Sequence, residues 1–309
     1  MPVLSVEHLS VKANYKEGTR EIISDISFSV ETGERLAIVG ESGCGKTMTA
    51  LAIFGILPDN CEALGDILLD GENLLALSEK EMNQRRGNSL VLIPQSGADF
   101  LNPVLKVRYQ IAETLKRAGI QKKQALKKES AALLHRVGFQ DPEEVLNKYP
   151  FQLSGGMAQR VILAIGLALA PKLVIADEPT RGIDDETSSL YLAQLRDFFS
   201  DSAVIMITHN ISVAENCQKL LVMYAGEWME YGDTQTILKT PVHPYTQSLI
   251  RALPDNGFTL SASFQQADRS HPDRGCPFYG RCPSAPELCQ NNKPPVTVKN
   301  GIYRRCIHA

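Results

Sequence analysis

The chain has no excess of positive charge: 32 Lys and Arg against 35 Asp and Glu leave a formal net charge of −3. Nucleic-acid binders carry a basic total or a dominant basic stripe, so no nucleic-acid partner is expected. Long apolar runs are also missing. The longest, Val161 to Ala170, stops at Pro171 and Lys172, whereas about 20 residues are needed to cross a bilayer. The first residues, Met1 to His8, lack the basic start and apolar stretch of a secretory signal, so reducing cytosol is the expected compartment. Internal repeats and low-complexity tracts are absent. Disorder is excluded for the bulk, because 43% of the residues are hydrophobic and the net charge is small. At 309 residues the chain has room for one large or two modest domains.

What is present is an alternation of apolar strands and helices. Residues 2–12 and 22–30 alternate apolar and polar, as strands with one wet face do. Leu36 to Gly40 is a continuous apolar run, the mark of a strand buried on both faces. Residues 66–70, 89–93, 173–176, 203–208 and 220–224 are further strand candidates, and helical spacing runs over 104–118, 121–137, 154–170 and 185–199. This pattern predicts an α/β fold around a largely parallel sheet. The helical character of residues 96–153 reads as an inserted helical subdomain. Beyond Pro241, Pro, Gly and Cys become frequent, which divides the chain into a domain over 1–240 and an appendage over 241–309.

Gly40-Glu41-Ser42-Gly43-Cys44-Gly45-Lys46-Thr47 fits G-x-x-x-x-G-K-[ST], with a buried strand before it and a helix after it. Its glycines let backbone N–H groups turn inward around phosphate oxygens, and the helix N-terminus adds positive potential. Lys46 is placed to reach the β- and γ-phosphates, and Thr47 to put a hydroxyl on Mg²⁺. Downstream, the apolar strand at 173–176 runs into two carboxylates. Asp177 can hold the magnesium water shell, and Glu178 can orient an attacking water or take its proton. Phosphoryl transfer needs positioning and charge stabilisation more than covalent help, so these groups suffice. Between the two motifs, Leu153 to Arg160 holds a helix start: Ser154 is a cap, and Gly155 and Gly156 offer backbone N–H groups to an anion.

In this order the three motifs resemble those of ATP-binding cassette (ABC) ATPases, and the resemblance covers nearly the whole chain. It implies a P-loop nucleotide-binding domain of the ABC type that binds ATP and Mg²⁺. It implies that Ser154, Gly155 and Gly156 grip the γ-phosphate of an ATP held by a second subunit. Gln95 matches the loop glutamine that touches magnesium and reports to membrane subunits. His209 matches the switch histidine at the γ-phosphate, and Asp184 the loop aspartate that links the two subunits. Tyr15, after the first strand, is the adenine-stacking candidate. The implied catalytic set is Lys46, Gln95, Glu178 and His209, and the magnesium set Thr47, Gln95 and Asp177. Three departures stand out: Met157 where Gln is common, Cys44 where Ser is common, and Arg181-Gly182-Ile183 before the loop aspartate. None removes a group that does chemistry. A thiol near a helix N-terminus tends toward thiolate, so Cys44 is expected to respond to thiol reagents.

His243-Pro244-Tyr245-Thr246 resembles an element of the dipeptide, oligopeptide and nickel importer ATPases, as does the stretch 96–103. By its residues alone the element is a tight turn opening a helix. Four cysteines follow it: Cys276, Cys282, Cys289 and Cys306. They lack both the close C-x₂₋₄-C pair of zinc modules and the short ferredoxin spacing, so spacing leaves free thiols, zinc and iron–sulfur open. The branch adds a preference for a 4Fe–4S cluster, with zinc as the alternative, in a structural or regulatory role. The resemblance thus implies the ATPase subunit of a bacterial importer of peptides or nickel-type substrates, peripheral on the cytoplasmic face of the membrane. Its implied partners are a second, related ATPase chain, two membrane permeases and, indirectly, a solute-binding protein. The competing readings are an ABC-type clamp on nucleic acid or ribosomes, and a cysteine tail that senses redox state or metal and gates the ATPase. Lys122, Lys123, Lys127 and Lys128 read as a solvated helix face, or else as a contact with anionic lipid.

Overall fold

The computed structural model describes residues 2–95, 100–181, 185–252 and 275–308. In chain order the elements begin β1 (Leu4–Tyr15), β2 (Gly18–Val30), β3 (Arg35–Val39), α1 (Lys46–Phe54), β4 (Cys61–Leu69) and β5 (Glu72–Asn73). There follow α2 (Glu79–Arg85), β6 (Leu90–Ile93), α3 (Val107–Arg117), α4 (Lys123–Arg136), α5 (Pro142–Asn147), α6 (Gly155–Leu167), β7 (Leu173–Asp177), α7 (Asp185–Phe198) and β8 (Ala203–Thr208). The chain then runs through α8 (Ile211–Ala214), β9 (Lys219–Tyr224), β10 (Glu227–Asp233), α9 (Thr234–Lys239), α10 (Pro244–Arg251), α11 (Leu288–Asn291), β11 (Val296–Lys299) and β12 (Ile302–Arg305). It divides into two compact units, residues 1–76 with 205–309, and residues 77–204.

In the first unit, β2-β1-β4-β5 form an antiparallel sheet. The apolar positions of β1 explain its shape. Leu4 and Val6 are buried, and so are Leu9, Val11 and Ala13. The step of three between Val6 and Leu9 breaks the period of two, and a bulge absorbs it: the register shifts there and His8 takes φ 51°. Gly65 on β4 lies against this bulge. A Cβ there would stand 2.5 Å from the His8 carbonyl oxygen and 2.6 Å from that of Glu7, and φ is +103°. Gly65→Ala is therefore expected to destabilise the protein by at least about 2 kcal/mol. A lower denaturation midpoint at unchanged m-value checks this.

A second sheet of the first unit carries the order β11-β12-β10-β9-β3. Leu36, Ala37, Ile38 and Val39 are at most 1% exposed, and β3 pairs in parallel with β9 from Leu36↔Lys219 to Val39↔Val222. This is the doubly buried strand that the continuous apolar run predicts. Two tight hairpins extend the sheet. Ala225-Gly226 joins β9 to β10, and Asn300-Gly301 joins β11 to β12, all four residues at positive φ. Because β12 pairs with β10 (Glu230↔Arg304, Tyr231↔Tyr303), the C-terminal segment shares a sheet with the strand that leads into the glycine-rich loop.

In the second unit β6 and β7 pair in parallel, Leu90↔Leu173 to Ile93↔Ala176. Helices α3, α4, α5 and α6 pack together, burying Val107, Ile111, Leu134, Val145 and Val161. The expected helix at 154–170 ends earlier, at Leu167. Pro171 bars its predecessor from the helical region, and Ala170 turns to φ 44°. The basic run is partly neutralised, with Lys127 Nζ 3.3 Å from Glu143. Among the described residues no helix is long and apolar enough to cross a membrane.

Candidate nucleotide site

The first unit holds the phosphate loop. Strand β3 ends at Val39, and the chain wraps through Gly40 (φ 159°), Gly43 (φ 77°) and Gly45 (φ 110°) into α1. At Gly40 the need for glycine is steric, since a Cβ would sit 2.2 Å from the Met223 carbonyl oxygen. The amide of Cys44 bonds the Glu41 carbonyl at 3.2 Å, closing a turn. Lys46 is 6% exposed, and its Nζ donates to the carbonyls of Gly40 (2.8 Å) and Glu41 (3.0 Å). The loop is thus wound around its own ammonium group, with Ser42, Gly43 and Thr47 facing outward. This fits a bound triphosphate with Mg²⁺: a narrow backbone cradle, one central cation and an exposed hydroxyl at the helix start. Cys44 corrects an expectation. It is 3% exposed, its sulfur lying beneath Gly40, so reagents reach it poorly.

His209 follows β8 and is exposed. Tyr15 belongs to the end of β1, where it pairs with Gly18, and not to the loop beyond. It is 48% exposed, and Arg20 covers one face of its ring at 5.6 Å.

The second unit holds the carboxylates. Asp177 ends the fully buried β7. Glu178, half-buried, takes φ 47°, a left-handed conformation that a non-glycine residue holds only when its surroundings enforce it. Such strain collects at working sites. Gln95 is exposed just after β6. Its side-chain oxygen, in the orientation that satisfies both groups, accepts from Arg181 Nε at 3.0 Å and from Arg181 Nη1. Arg181 is one of the departures noted in the sequence, and it occupies the oxygen expected to reach magnesium. Ser154 Oγ accepts from the Met157 amide at 3.3 Å, the cap that its position predicts. Among the described residues, nothing lies within 4 Å of where a Cβ at Gly155 or Gly156 would stand. Asp184 lies outside the described residues.

Reading the sequence missed two groups on the phosphate loop. Arg281 and Tyr245 both bond Glu41, from positions 240 and 204 residues away. Tyr245 belongs to the element at 243–246. There His243 caps α10, its Nδ1 accepting from the Tyr245 amide at 3.1 Å, with Pro244 at the first helical position. Burial pushes the His243 imidazole down to about 4, so it caps as a neutral ring.

The four late cysteines are free thiols. The Cys276 amide donates to the Cys289 carbonyl at 2.8 Å. Burial first, then the neighbouring cysteines, push the Cys276 thiol up to about 12, and Cys289 and Cys306 are raised in the same way. Four sulfurs are a suitable donor set for iron–sulfur or zinc. Yet among the described residues no three His, Cys, Asp or Glu side chains meet as a metal would need. As placed, the residues do not fit the cluster that the resemblance implied.

Comparison with known proteins identifies the family. Residues 23–181 match the family model "ABC transporter", and residues 229–289 match "Oligopeptide/dipeptide transporter, C-terminal region". The chain is 38% identical to the dipeptide transport ATP-binding protein DppD of Bacillus subtilis, over 97% of this chain and 92% of that one. It is 36% identical to the oligopeptide transport ATP-binding protein OppD of Escherichia coli, over 98% and 92%. Among solved structures it resembles cbiO1 of Clostridium perfringens, part of the ABC transporter complex cbiONQ, with TM-score 0.65 and 26% identity over 77% of this chain and 91% of that one. The bacterial ABC transporter cassette MJ0796, solved as a dimer, shares the fold at TM-score 0.67 and 23% identity, over 75% and 98%. The chain belongs to the ATP-binding proteins of ABC transporters, in the branch that carries the oligopeptide/dipeptide C-terminal region.

Proposed function

We propose that this chain is the ATP-hydrolysing subunit of a bacterial peptide importer. The observation that carries the reading is its match, from end to end, to dipeptide and oligopeptide transport ATP-binding proteins. The phosphate loop supports it. Lys46 and backbone N–H groups of the loop hold the β- and γ-phosphates, Tyr15 stacks on the adenine, and His209 contacts the γ-phosphate. Thr47, Gln95 and Asp177 hold Mg²⁺, which when bound neutralises charge on the phosphates. Glu178 orients the attacking water and accepts its proton. Gln95 must leave Arg181 to serve, so nucleotide loading exchanges one partner for another.

The chain works in a pair. Gly155 and Gly156 have open space around them, so nothing among the described residues demands glycine there. What does demand it is the ATP of a second, related ATPase subunit, which their amides approach, with Asp184 at the joint. Gly156→Asp is accordingly expected to leave the melting temperature within about 2 °C of the parent. ATP-dependent association, read by sedimentation, is expected to be lost.

The whole acts at the cytoplasmic face of the membrane, on two permease subunits, with an extracytoplasmic binding protein choosing the solute. Residues 1–240 form the nucleotide domain, with the helical segment about 96–153 facing the permeases, and 241–309 the branch-specific extension. This reading carries no metal at the four cysteines; stoichiometric iron or zinc in anaerobically purified protein would reinstate it. The test of function is reconstitution with candidate permeases and a peptide-binding protein. Peptide-loaded binding protein is expected to stimulate ATP hydrolysis. Stimulation by nickel with none by peptides would overturn the substrate class.

A further inference from the structure

The first turn of the phosphate loop is held from outside. Glu41 receives a two-pronged ion pair: Arg281 Nη1 donates to Oε2 at 3.0 Å and Nη2 to Oε1 at 2.9 Å. The Glu41 amide donates to the Tyr245 hydroxyl oxygen at 2.9 Å. Both anchors are fixed in turn. The Arg281 Nη1 also donates to the Tyr224 hydroxyl at 3.3 Å, and its guanidinium lies over the rings of Tyr224 (5.6 Å) and Phe278 (5.5 Å). Tyr245 packs on Tyr224 at 4.6 Å and on Phe278 at 5.4 Å. Tyr245 and Tyr224 are at most 1% exposed and Phe278 is 2% exposed. His243 packs on Phe278 at 5.8 Å, with its Nε2 3.8 Å from the Cys276 sulfur.

We propose that Arg281 and Tyr245 are positioning residues for ATP binding: they clamp Glu41 and so preset the phosphate loop in the shape that receives the triphosphate. Both residues contact the loop through Glu41. Glu41 adjoins Gly40, whose carbonyl, with that of Glu41 itself, accepts from Lys46. Fixing Glu41 by its side chain and by its amide therefore fixes the two carbonyls that aim the ammonium group. A bidentate guanidinium–carboxylate pair has the directional strength for this task, and the aromatic seat keeps the guanidinium from turning away. Preorganisation lowers the ordering cost of binding without a direct contact. The segment between Cys276 and Cys282 is thereby built into the ATP site, which gives the C-terminal extension a mechanical role in the cassette.

The inference rests on the reading of residues 40–47 as the ATP site, and its test separates the two. ATP affinity is measured with the full-length parent, Lys46→Ala, Arg281→Ala, Arg281→Lys, Tyr245→Phe, Glu41→Gln and the double variant Glu41→Gln/Arg281→Ala. Melting temperatures are recorded alongside. Arg281→Ala is expected to weaken ATP binding about fivefold to tenfold, and Arg281→Lys less, because lysine keeps the charge but not the fork. Tyr245→Phe, which keeps the ring packing, is expected to weaken binding about threefold. The double variant is expected to bind as the weaker single one does, the mark of a coupled pair. In the assembled transporter the loss is expected in the KM for ATP with kcat within about twofold, as for uniform binding. Should Arg281→Ala lose its fold, Tyr245→Phe and Glu41→Gln carry the test. Parental affinity in these variants, with Lys46→Ala still defective, overturns the clamp alone. Parental affinity in Lys46→Ala overturns the assigned ATP site itself.

Discussion

A Glu178→Gln protein is expected to hydrolyse ATP about a thousandfold more slowly than the parent while binding it as tightly. The amide copies the carboxylate in size but accepts no proton from water, and a positioned general base contributes roughly 10²–10⁴ in rate. The backbone position sharpens the test. Glu178 already sits at φ 47° at the end of a strand whose every residue is buried. Glutamine meets the same backbone cost as glutamate there, so the substitution adds no new strain and the fold is expected to stand. Phosphate binding is assigned to the loop at 40–47, so affinity has no reason to fall. Single-turnover hydrolysis and equilibrium binding on the same preparation read both quantities. A variant that turns over at the parental rate removes Glu178 from the mechanism.

Lys46→Ala is expected to act on the other quantity. The Lys46 ammonium group is nearly buried and bonds the Gly40 and Glu41 carbonyls at 2.8 and 3.0 Å. Removing it deletes the central positive charge of the cradle and leaves both carbonyls to find new donors. A hydrogen bond to a charged group is worth about 1.5–3 kcal/mol. At 1.4 kcal/mol per decade, two such bonds to phosphate oxygens, partly offset by the carbonyl bonds surrendered, amount to about a hundredfold in affinity. Titration with a fluorescent ATP analogue checks this, with circular dichroism to confirm the fold.

The elements that the sequence made legible are those whose signal is local. Val39 into Gly40, Asp177 at the end of an apolar strand and Ser154 before Gly155 each declare themselves within a few residues. The structure puts the buried strand, the strand end and the helix cap where those residues predict. The bulge at His8 was also readable, from the step of three between Val6 and Leu9, though simple alternation hides it. Asn300-Gly301 between Val296 and Arg305 is a strong hairpin signal, and it was lost among the Pro and Cys of the C-terminal segment. The contacts of Glu41 were not legible at all. A side chain in the first turn of the chain's best motif finds Arg281 through folding alone, and no spacing rule spans that separation. Likewise Arg181 looked like a neutral departure, and only the structure sets it on Gln95. For the four cysteines, spacing leaves free thiols and metal equally open and only the family resemblance favours a cluster, while among the described residues the side chains give no such meeting point.

The proposed sandwich, in which the ATP of one protomer is capped by Ser154 to Gly156 of another, is the centre of the account. Sedimentation of the Glu178→Gln protein with saturating Mg-ATP tests it most directly, alone and mixed with a candidate second ATPase subunit. The account predicts that the sedimenting mass doubles in at least one of the two samples and reverts to monomer when ATP is replaced by ADP. Monomers throughout, in protein shown to hold ATP, would contradict it.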